Sequence, residues 1–424
     1  MREKLGRNYR ALLAASAVSN LGDGIGTVAW PWVTSLLTRD PLAISLVALA
    51  FRLPWLLFSL PAGVITDRFD RRRLVITMDL LRALVLISLA LVIAVNRPAA
   101  PSSGPFLPQA PLYWLLLGSA LAVGFAEVLR DNAAQTFMPA VVPASRLEAA
   151  NGRLWSVEVL GNSLLGPPLA GILLGLALPL SFFANGAGFA GSALLVYSIR
   201  GSFSAAREET GHHWLIEMRD GASFLWRNVL LRDMALGLGV LNAMDFMMRT
   251  ALVLYAQEVL HLTSAQFGIL LTAGAIGGIA GGFCSGIVVR FLGASGALRL
   301  TFATICIQLA VMAFWQAAVP IFVVLVAGEF MGMIWNTVTV SMRQRRVPAY
   351  LLGRVNSVYR FFAWGTIPIG IALSGLIVRL SEEPLGRTMA LGLPFAFGAV
   401  VMALATLLLW PRLSRQALSR VTFT

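Results

Sequence analysis

Twelve apolar stretches, each long enough to cross a bilayer, run through this chain at approximately 10–37, 41–65, 74–96, 112–137, 149–177, 179–199, 233–258, 264–290, 297–318, 320–341, 356–380 and 387–410. A spanning helix needs about 20 mostly apolar residues. Only 12% of the 424 residues are charged, about half the share in a soluble domain. The expected fold is an all-α membrane protein of twelve transmembrane helices.

The densest charge lies between the second and third stretches, in Thr66-Asp67-Arg68-Phe69-Asp70-Arg71-Arg72-Arg73. A short basic loop between two spans pins that loop to the cytoplasm. Four Arg (39, 97, 379 and 387) fall on the other side of this map, and three (52, 82 and 249) fall inside spans. The remaining Arg and Lys share the side of the loop, so both termini are expected in the cytoplasm. The net charge of +13 is spread over loops rather than gathered on one face, which argues against a nucleic-acid partner. Cys284 and Cys306 lie in apolar segments with no metal-binding spacing. The N-terminus lacks a small-residue cleavage site, so no removable signal peptide is expected.

The one sizeable polar segment, 200–232, splits the spans six and six. The expected organisation is a six-helix bundle over 1–199, a cytoplasmic linker over 200–232 and a second bundle over 233–424. The linker's second half, 214–232, reads as an amphipathic surface helix. The 97–111 stretch, rich in Pro, Ser and Gly, reads as an external loop.

The halves look like copies. Asn20-Leu21-Gly22-Asp23 recurs as Asn242-Ala243-Met244-Asp245, and Gly63 matches Gly286. Val142-Pro143-Ala144 with Asn151 recurs as Val347-Pro348-Ala349 with Asn356. Gly161, Gly166 and Gly171 match Gly365, Gly370 and Gly375. Parallel six-span repeats are a transporter architecture.

On these residues the chain resembles the major facilitator superfamily over nearly its whole length. Gly63, Asp67, Arg68, Arg71 and Arg72 fit its Gly-x-x-x-Asp-Arg-x-x-Arg-Arg signature, with Asp70 where a second Gly is usual. Gly161, Gly166-Pro167-Pro168 and Gly171 are similar to the antiporter motif of its exporters, with Ala170 in place of a Gly. Ser19 to Asp23 and Pro139…Pro143…Asn151 resemble the enterobactin-exporter and macrolide-efflux-like branch. The resemblance implies that Asp67, with Arg71 one turn away if span 2 continues that far, joins a conformational latch. Asp131, near the cytoplasmic end of span 4, is its expected third member, and Asp67 can also face span 11 near Asn356. The alternative is charge that serves topology alone.

Acids inside spans are costly and are functional candidates by default. Asp23 lies about 20 Å into span 1 at 1.5 Å per residue, which points to a direct proton or substrate role; the alternative, compatible with it, is a structural ion pair with Arg52, at similar depth in span 2. Asn20, Asp23, Thr27 and Trp30 share a helix face. Asp245 and Arg249 are four apart and can pair. Glu127 has Arg130 one turn away, whereas Glu329 has no cation within a turn on its own helix. These give a coupling set of Asp23, Arg52, Glu127, Asp245, Arg249 and Glu329, and cavity candidates Asn20, Trp30, Asn242, Phe246, Trp335 and Asn336. Asp79 and Arg82 read as helix-packing polar residues, and Glu158 as a weaker candidate. The glycines of span 8 offer close-packing spacings such as Gly274 to Gly278.

The expected function is secondary active transport in the bacterial inner membrane by alternating access. It would export an amphiphilic small molecule, such as a drug or secreted metabolite, against protons. Siderophore or lipid export, or import, is the alternative. A polytopic enzyme is remote, because His212, His213 and His261 all fall in loops with no nucleophile–base pair. No metal or other cofactor is expected, and the functional unit is expected to be a monomer in lipid.

Overall fold

A computed structural model describes residues 6–96, 110–143, 146–201, 203 and 214–413. Among them every regular element is helical. By contacts the chain forms two compact units, Met1–Glu209 with His261–Thr272, and Thr210–Leu260 with Ala273–Thr424.

The first unit holds α1 (Arg7–Leu37), α2 (Pro41–Arg68), α3 (Arg71–Val95), α4 (Pro111–Val141), α5 (Leu147–Glu158), a π-helical stretch (Val159–Leu165), α6 (Gly166–Leu176) and α7 (Leu178–Tyr197). α5, the π segment and α6 form one interrupted span. The cause is local: Pro167 and Pro168 carry no N–H, so the carbonyls one turn earlier lose their partners and the ladder widens. The gap lies against α1, where the two backbones touch. A Cβ built on Gly24 would lie 2.5 Å from the Gly161 carbonyl oxygen, and one on Gly166 2.5 Å from the Gly24 Cα. The antiporter-like motif is therefore a contact surface for the first helix. Gly171, further along, lies against Ser264, whose hydroxyl donates to the Gly171 carbonyl at 2.8 Å.

The second unit holds α8 (Trp214–Arg227), α9 (Val229–Glu258), α10 (Ser264–Phe314), α11 (Ala318–Arg346), α12 (Ala349–Gly365), α13 (Ile367–Leu385) and α14 (Arg387–Arg412), with the first residues of α10 counted in the first unit. α10 is 51 residues long and breaks at Gly293, whose φ of 69° suits only glycine comfortably. It therefore supplies two spans. α12 and α13 are one span interrupted at Thr366, again before a proline, Pro368. With α1 and the divided α10, twelve spans result. Ten helices pass on length and apolarity alone; α1 is made polar by its Ser19–Asp23 run, and α10 was counted whole.

Two expectations change here. The amphipathic helix stops at Arg227, because the Asn228 side chain accepts from the Leu231 N–H and starts α9. It belongs by contacts to the second unit, packed on α12, where a Cβ on Gly221 would lie 2.7 Å from the Arg354 carbonyl carbon. The small-residue contact of span 8 uses Gly277 and Gly281, not Gly278. A Cβ on Gly277 would lie 2.3 Å from the Val326 carbonyl oxygen, and one on Gly281 2.5 Å from that of Phe330, while Gly278 faces open space. The 97–109 loop lies outside the described residues.

This gives a paired test. Gly277→Ala forces α10 from α11 and should cost about 1–3 kcal/mol, read as a lower melting temperature in detergent. Gly278→Ala, one residue on, should be neutral or slightly stabilising, since alanine favours a helix. Equal effects of the two would refute this contact.

Candidate functional site

Asp23 lies 16 residues beyond the start of α1, in the middle of the helix. Its partner is Arg82 of α3, at 3.3 Å, and not Arg52. Arg82 is fully buried and also holds Asp79, fully buried, at 2.5 Å. Asp79 in turn reaches Arg130 of α4 at 3.5 Å and accepts from the Ser192 hydroxyl of α7 at 2.7 Å. Arg130 closes the chain on Asp131 at 3.2 Å. The guanidinium of Arg82 stacks on the Phe189 ring, 3.7 Å from its centroid, and donates to the Ser19 hydroxyl at 3.4 Å. One network thus joins α1, α3, α4 and α7. It contains three carboxylates and two guanidiniums, and Arg does not release its proton.

Glu127 does not pair with Arg130 as sequence spacing suggested. It faces Arg52 of α2 at 3.9 Å. α4 runs ten residues beyond Asp131, although its apolar span ends at Gln135, so Asp131 lies near the end of the span and within the helix.

The second unit has a smaller cluster. Arg249 of α9 binds Asp245 on its own helix at 2.8 Å and reaches across to Glu329 of α11. Glu329, without a cation within a turn on its own helix, has one on the neighbouring helix. Gly274 of α10 leaves room beside it, 3.8 Å from Glu329 Oε1 to a Cβ built there. Two carboxylates share one guanidinium. The two units repeat a plan: each has an acid on its first span (Asp23, Asp245) and one on its fourth (Glu127, Glu329), although Glu127 pairs with Arg52 and stands outside the five-group network.

The cavity candidates divide. Asn20 donates to the Ser16 carbonyl on its own helix at 2.8 Å. Asn242 donates to the Ala363 carbonyl at 2.7 Å, beside the α12–α13 break, where the Thr366 hydroxyl also donates to the Gly239 carbonyl at 2.7 Å. Phe246 is half-buried and Asn336 exposed. Trp30 is buried edge-on to Phe182, centroids 5.2 Å apart. Trp335 is fully buried and packs edge-on to Phe302 at 5.2 Å; its ring is taken up by helix packing, which corrects its placement on a cavity wall. Glu158 is exposed on α5.

The charged loop is a pair of helix ends. α2 stops at Arg68, and Asp70 caps α3 by accepting from the Arg73 N–H at 2.9 Å. Asp67 and Arg71 are therefore on different helices, not one turn apart on one. The side chains of Gly63 and Asp67 lie outside the described residues. Arg68 is exposed in the last turn of α2. Asp70 also accepts from the Phe203 N–H at 2.9 Å, tying the loop to the chain after α7. Partial burial pushes its carboxyl up, but the two backbone N–H donors with Arg73 and Arg72 outweigh this and hold it below the ordinary carboxylate value. Arg72 donates to the Val196 carbonyl at 3.3 Å and to that of Tyr197, and lies over the Tyr197 ring. Arg299 does the same in the second unit, donating to the Trp410 carbonyl at 2.8 Å and lying over its ring. Each arginine satisfies the open carbonyls at the end of its unit's last helix.

Sequence reasoning missed Ser19, Phe189 and Ser192, and read Asp79 and Arg82 as packing residues. The signal available was Asp79-x-x-Arg82, an i, i+3 pair inside an apolar span.

Helices long and apolar enough to cross a membrane, in two units of six spans with buried charge in each, define a multi-pass membrane transporter. A family described as transmembrane secretion effectors, of the major facilitator superfamily, matches residues 5–417, and the chain belongs to it. It is similar to the multidrug efflux pump Tap of Mycolicibacterium fortuitum, 25% identical over 376 residues, 86% of this chain and 87% of that one. Tap of Mycobacterium tuberculosis is 27% identical over 394 residues, 86% of this chain and 85% of that one. Among solved structures, a bacterial homologue of the human lysosomal transporter Spinster superposes with a TM-score of 0.73 at 13% identity, covering 100% of both chains. A bacterial homologue of the iron transporter ferroportin gives 0.70 at 16% identity, covering 95% of this chain and 100% of that one. At these identities the structures share the fold.

Asp70→Ala should cost about 1 kcal/mol at neutral pH through the lost cap. The depressed carboxyl contributes stability above its unfolded-state value and loses it as pH falls through the lower folded value. The difference between variant and parent, read by thermal unfolding, should therefore close on acidification; a gap that widens in acid would refute the cap.

Proposed function

We propose that this protein is a proton-coupled exporter of amphiphilic small molecules, of the drug-efflux kind, working by alternating access in the bacterial inner membrane with both termini cytoplasmic. One observation carries the coupling: in each unit an ion-pair cluster among apolar helices holds one more carboxylate than guanidinium, Asp23, Asp79 and Asp131 with Arg82 and Arg130 in the first, Asp245 and Glu329 with Arg249 in the second. Charge at such depth is costly, so one proton per unit balances the account. Asp23 is the candidate in the first unit, because it lies in the middle of α1 and keeps 25% side-chain exposure, while Asp79 has none and Asp131, at 33%, lies toward the end of its span. Asp245 and Glu329, each with 34% side-chain exposure, are the candidates in the second. A carboxylate that faces solvent and shares its cation is able to load and unload a proton. Arg82 and Arg249 hold these acids in place, and Arg52 holds Glu127.

Export and drug-like substrates are supported by the similarity to the Tap pumps over most of both chains. The amphiphilic substrate class also fits the half-buried Phe246 one residue from Asp245, an apolar surface beside a polar one. No ATP-binding motif occurs in the sequence, so an ion gradient supplies the energy. The 1–199, 200–232 and 233–424 division serves this reading as two bundles with a connecting segment. Lipid is the only other partner required, and the monomer is the working unit.

The test uses inverted vesicles with an imposed pH gradient and a fluorescent amphiphilic dye. Addition of dye should evoke proton movement in the parent protein. Asp23→Asn combined with Glu329→Gln should abolish it, with dye binding retained within a few-fold. Coupled movement that persists in the double variant would sink the assignment.

A further inference from the structure

Asp79 touches two guanidiniums. Its carboxylate holds Arg82 at 2.5 Å and Arg130 at 3.5 Å, has no exposed surface, and takes a third bond from Ser192. Each of those guanidiniums serves a second, more exposed acid, Asp23 at 3.3 Å and Asp131 at 3.2 Å. The five groups form a line in which Asp79 is the centre. We propose that Asp79 is a positioning residue that sets the proton occupancy of Asp23 by dividing its charge between Arg82 and Arg130. This rests on Asp23 being the proton site of the first unit.

The logic is one of shared partners. When Asp23 is ionised, Arg82 answers two carboxylates, and Asp79 leans on Arg130 as well. When Asp23 takes a proton, Arg82 is left to Asp79 alone. Asp79 then needs Arg130 less, and the 3.5 Å contact, the longest of the four, is the one that yields. Arg130 turns to Asp131. Protonation on α1 is thereby felt on α4, through residues that never touch the proton. The Phe189 ring under Arg82 and the Ser19 hydroxyl keep its guanidinium from leaving the line.

Among the described residues Asp23 feels Arg82, Asp131, Arg130 and Asp79 most. From α4, Glu127 also faces Asp23, Asp131 and Arg82, and Arg52 of α2, at 3.9 Å, offsets its charge. From α5, Glu158 lies near Asp131 and Arg130. α7 presents Asn185, Phe189 and Ser192, which carry no charge, and α6 contains no ionisable residue.

Charge counting gives opposite signs for two changes, neither at Asp23. Asp79→Asn leaves two carboxylates for two guanidiniums. Asp23 then keeps its charge to more acidic pH, and the midpoint of the pH profile of dye transport should fall by about one unit. Arg130→Gln commits Asp79 wholly to Arg82 and leaves Asp23 facing excess negative charge, so the midpoint should rise by a similar amount. Asp79→Glu restores the charge and should return the midpoint toward that of the parent. The profiles are measured in the same vesicles and with the same dye. A purely structural Asp79 would lower the rate at every pH with the midpoint unmoved, and that result, or shifts of equal sign, overturns the proposal. If Asp79→Asn does not fold, the Arg130→Gln shift decides alone. Asp23→Asn separates the two levels. A pH profile that it leaves unchanged removes Asp23 as the proton site, whereas a profile that it flattens while Asp79→Asn and Arg130→Gln do nothing removes only the role of Asp79.

Discussion

Two charges with no exposed surface, Asp79 and Arg82, face each other at 2.5 Å inside α3, and the first unit is arranged around keeping them satisfied. Removing one partner of such a pair typically costs about 3–5 kcal/mol, because the other is left buried alone. The pair recruits three other helices: Ser19 and Asp23 from α1, Arg130 from α4, and Phe189 and Ser192 from α7. A buried ion pair is poor value as a source of stability, since well-packed apolar residues often do better. Its presence with an extra acid points instead to a part that changes charge in use. The second unit reaches the same surplus with fewer groups, Asp245 and Glu329 around Arg249.

Close backbone contact makes these clusters possible. Charged side chains on α1 meet their partners only if the helices are near, and glycine allows that. In the first unit Gly24, the residue after Asp23, lies against Gly161 and Gly166 of the interrupted fifth span. In the second, a Cβ on Gly370 would lie 2.0 Å from the Ala243 carbonyl oxygen, two residues before Asp245. In both units the break in the fifth span, before a proline, sits beside the acid-bearing helix. An interrupted helix bends more easily than a continuous one. Bending of the fifth span and the charge of the first helix are thus mechanically adjacent in each unit.

The spans were legible in the sequence to within several residues at their ends, because hydropathy and helix length are local properties. The break in α10 at Gly293 falls in the gap between the expected stretches 264–290 and 297–318. The acids of the site were legible too, since charge within an apolar run stands out. Their partners were not. Depth along a helix placed Asp23 and Arg52 level with each other, but depth says nothing of which way a side chain points around the axis. Arg52 turned to Glu127 and Asp23 to Arg82. The same ambiguity misdirected Trp335, which shares a helix with Glu329 yet is buried against Phe302, and it shifted the α10 contact from Gly274–Gly278 to Gly277–Gly281. Serines as partners were invisible, because a lone Ser in a span carries no signal until its neighbour is known.

The charged loop shows how a topological feature acquires structural work. Positive charge alone would hold it in the cytoplasm, and Arg68, which is exposed, does no more than that among the described contacts, while Arg73 adds its charge beside Asp70. Asp70 and Arg72 do more: one caps α3 and binds the Phe203 N–H, and the other closes the end of α7. Arg299 repeats the closure on α14 although its surroundings in sequence share nothing with the loop. What the two halves keep in common here is therefore a bond from an early arginine to the last carbonyls of the bundle, with an aromatic ring beneath it. That bond joins the third span to the sixth and the ninth to the twelfth. Asp70, standing where the superfamily more often has glycine, adds a fixed loop to the first of these closures, so the unit that carries the five-group network is also the one whose charged loop is tied down.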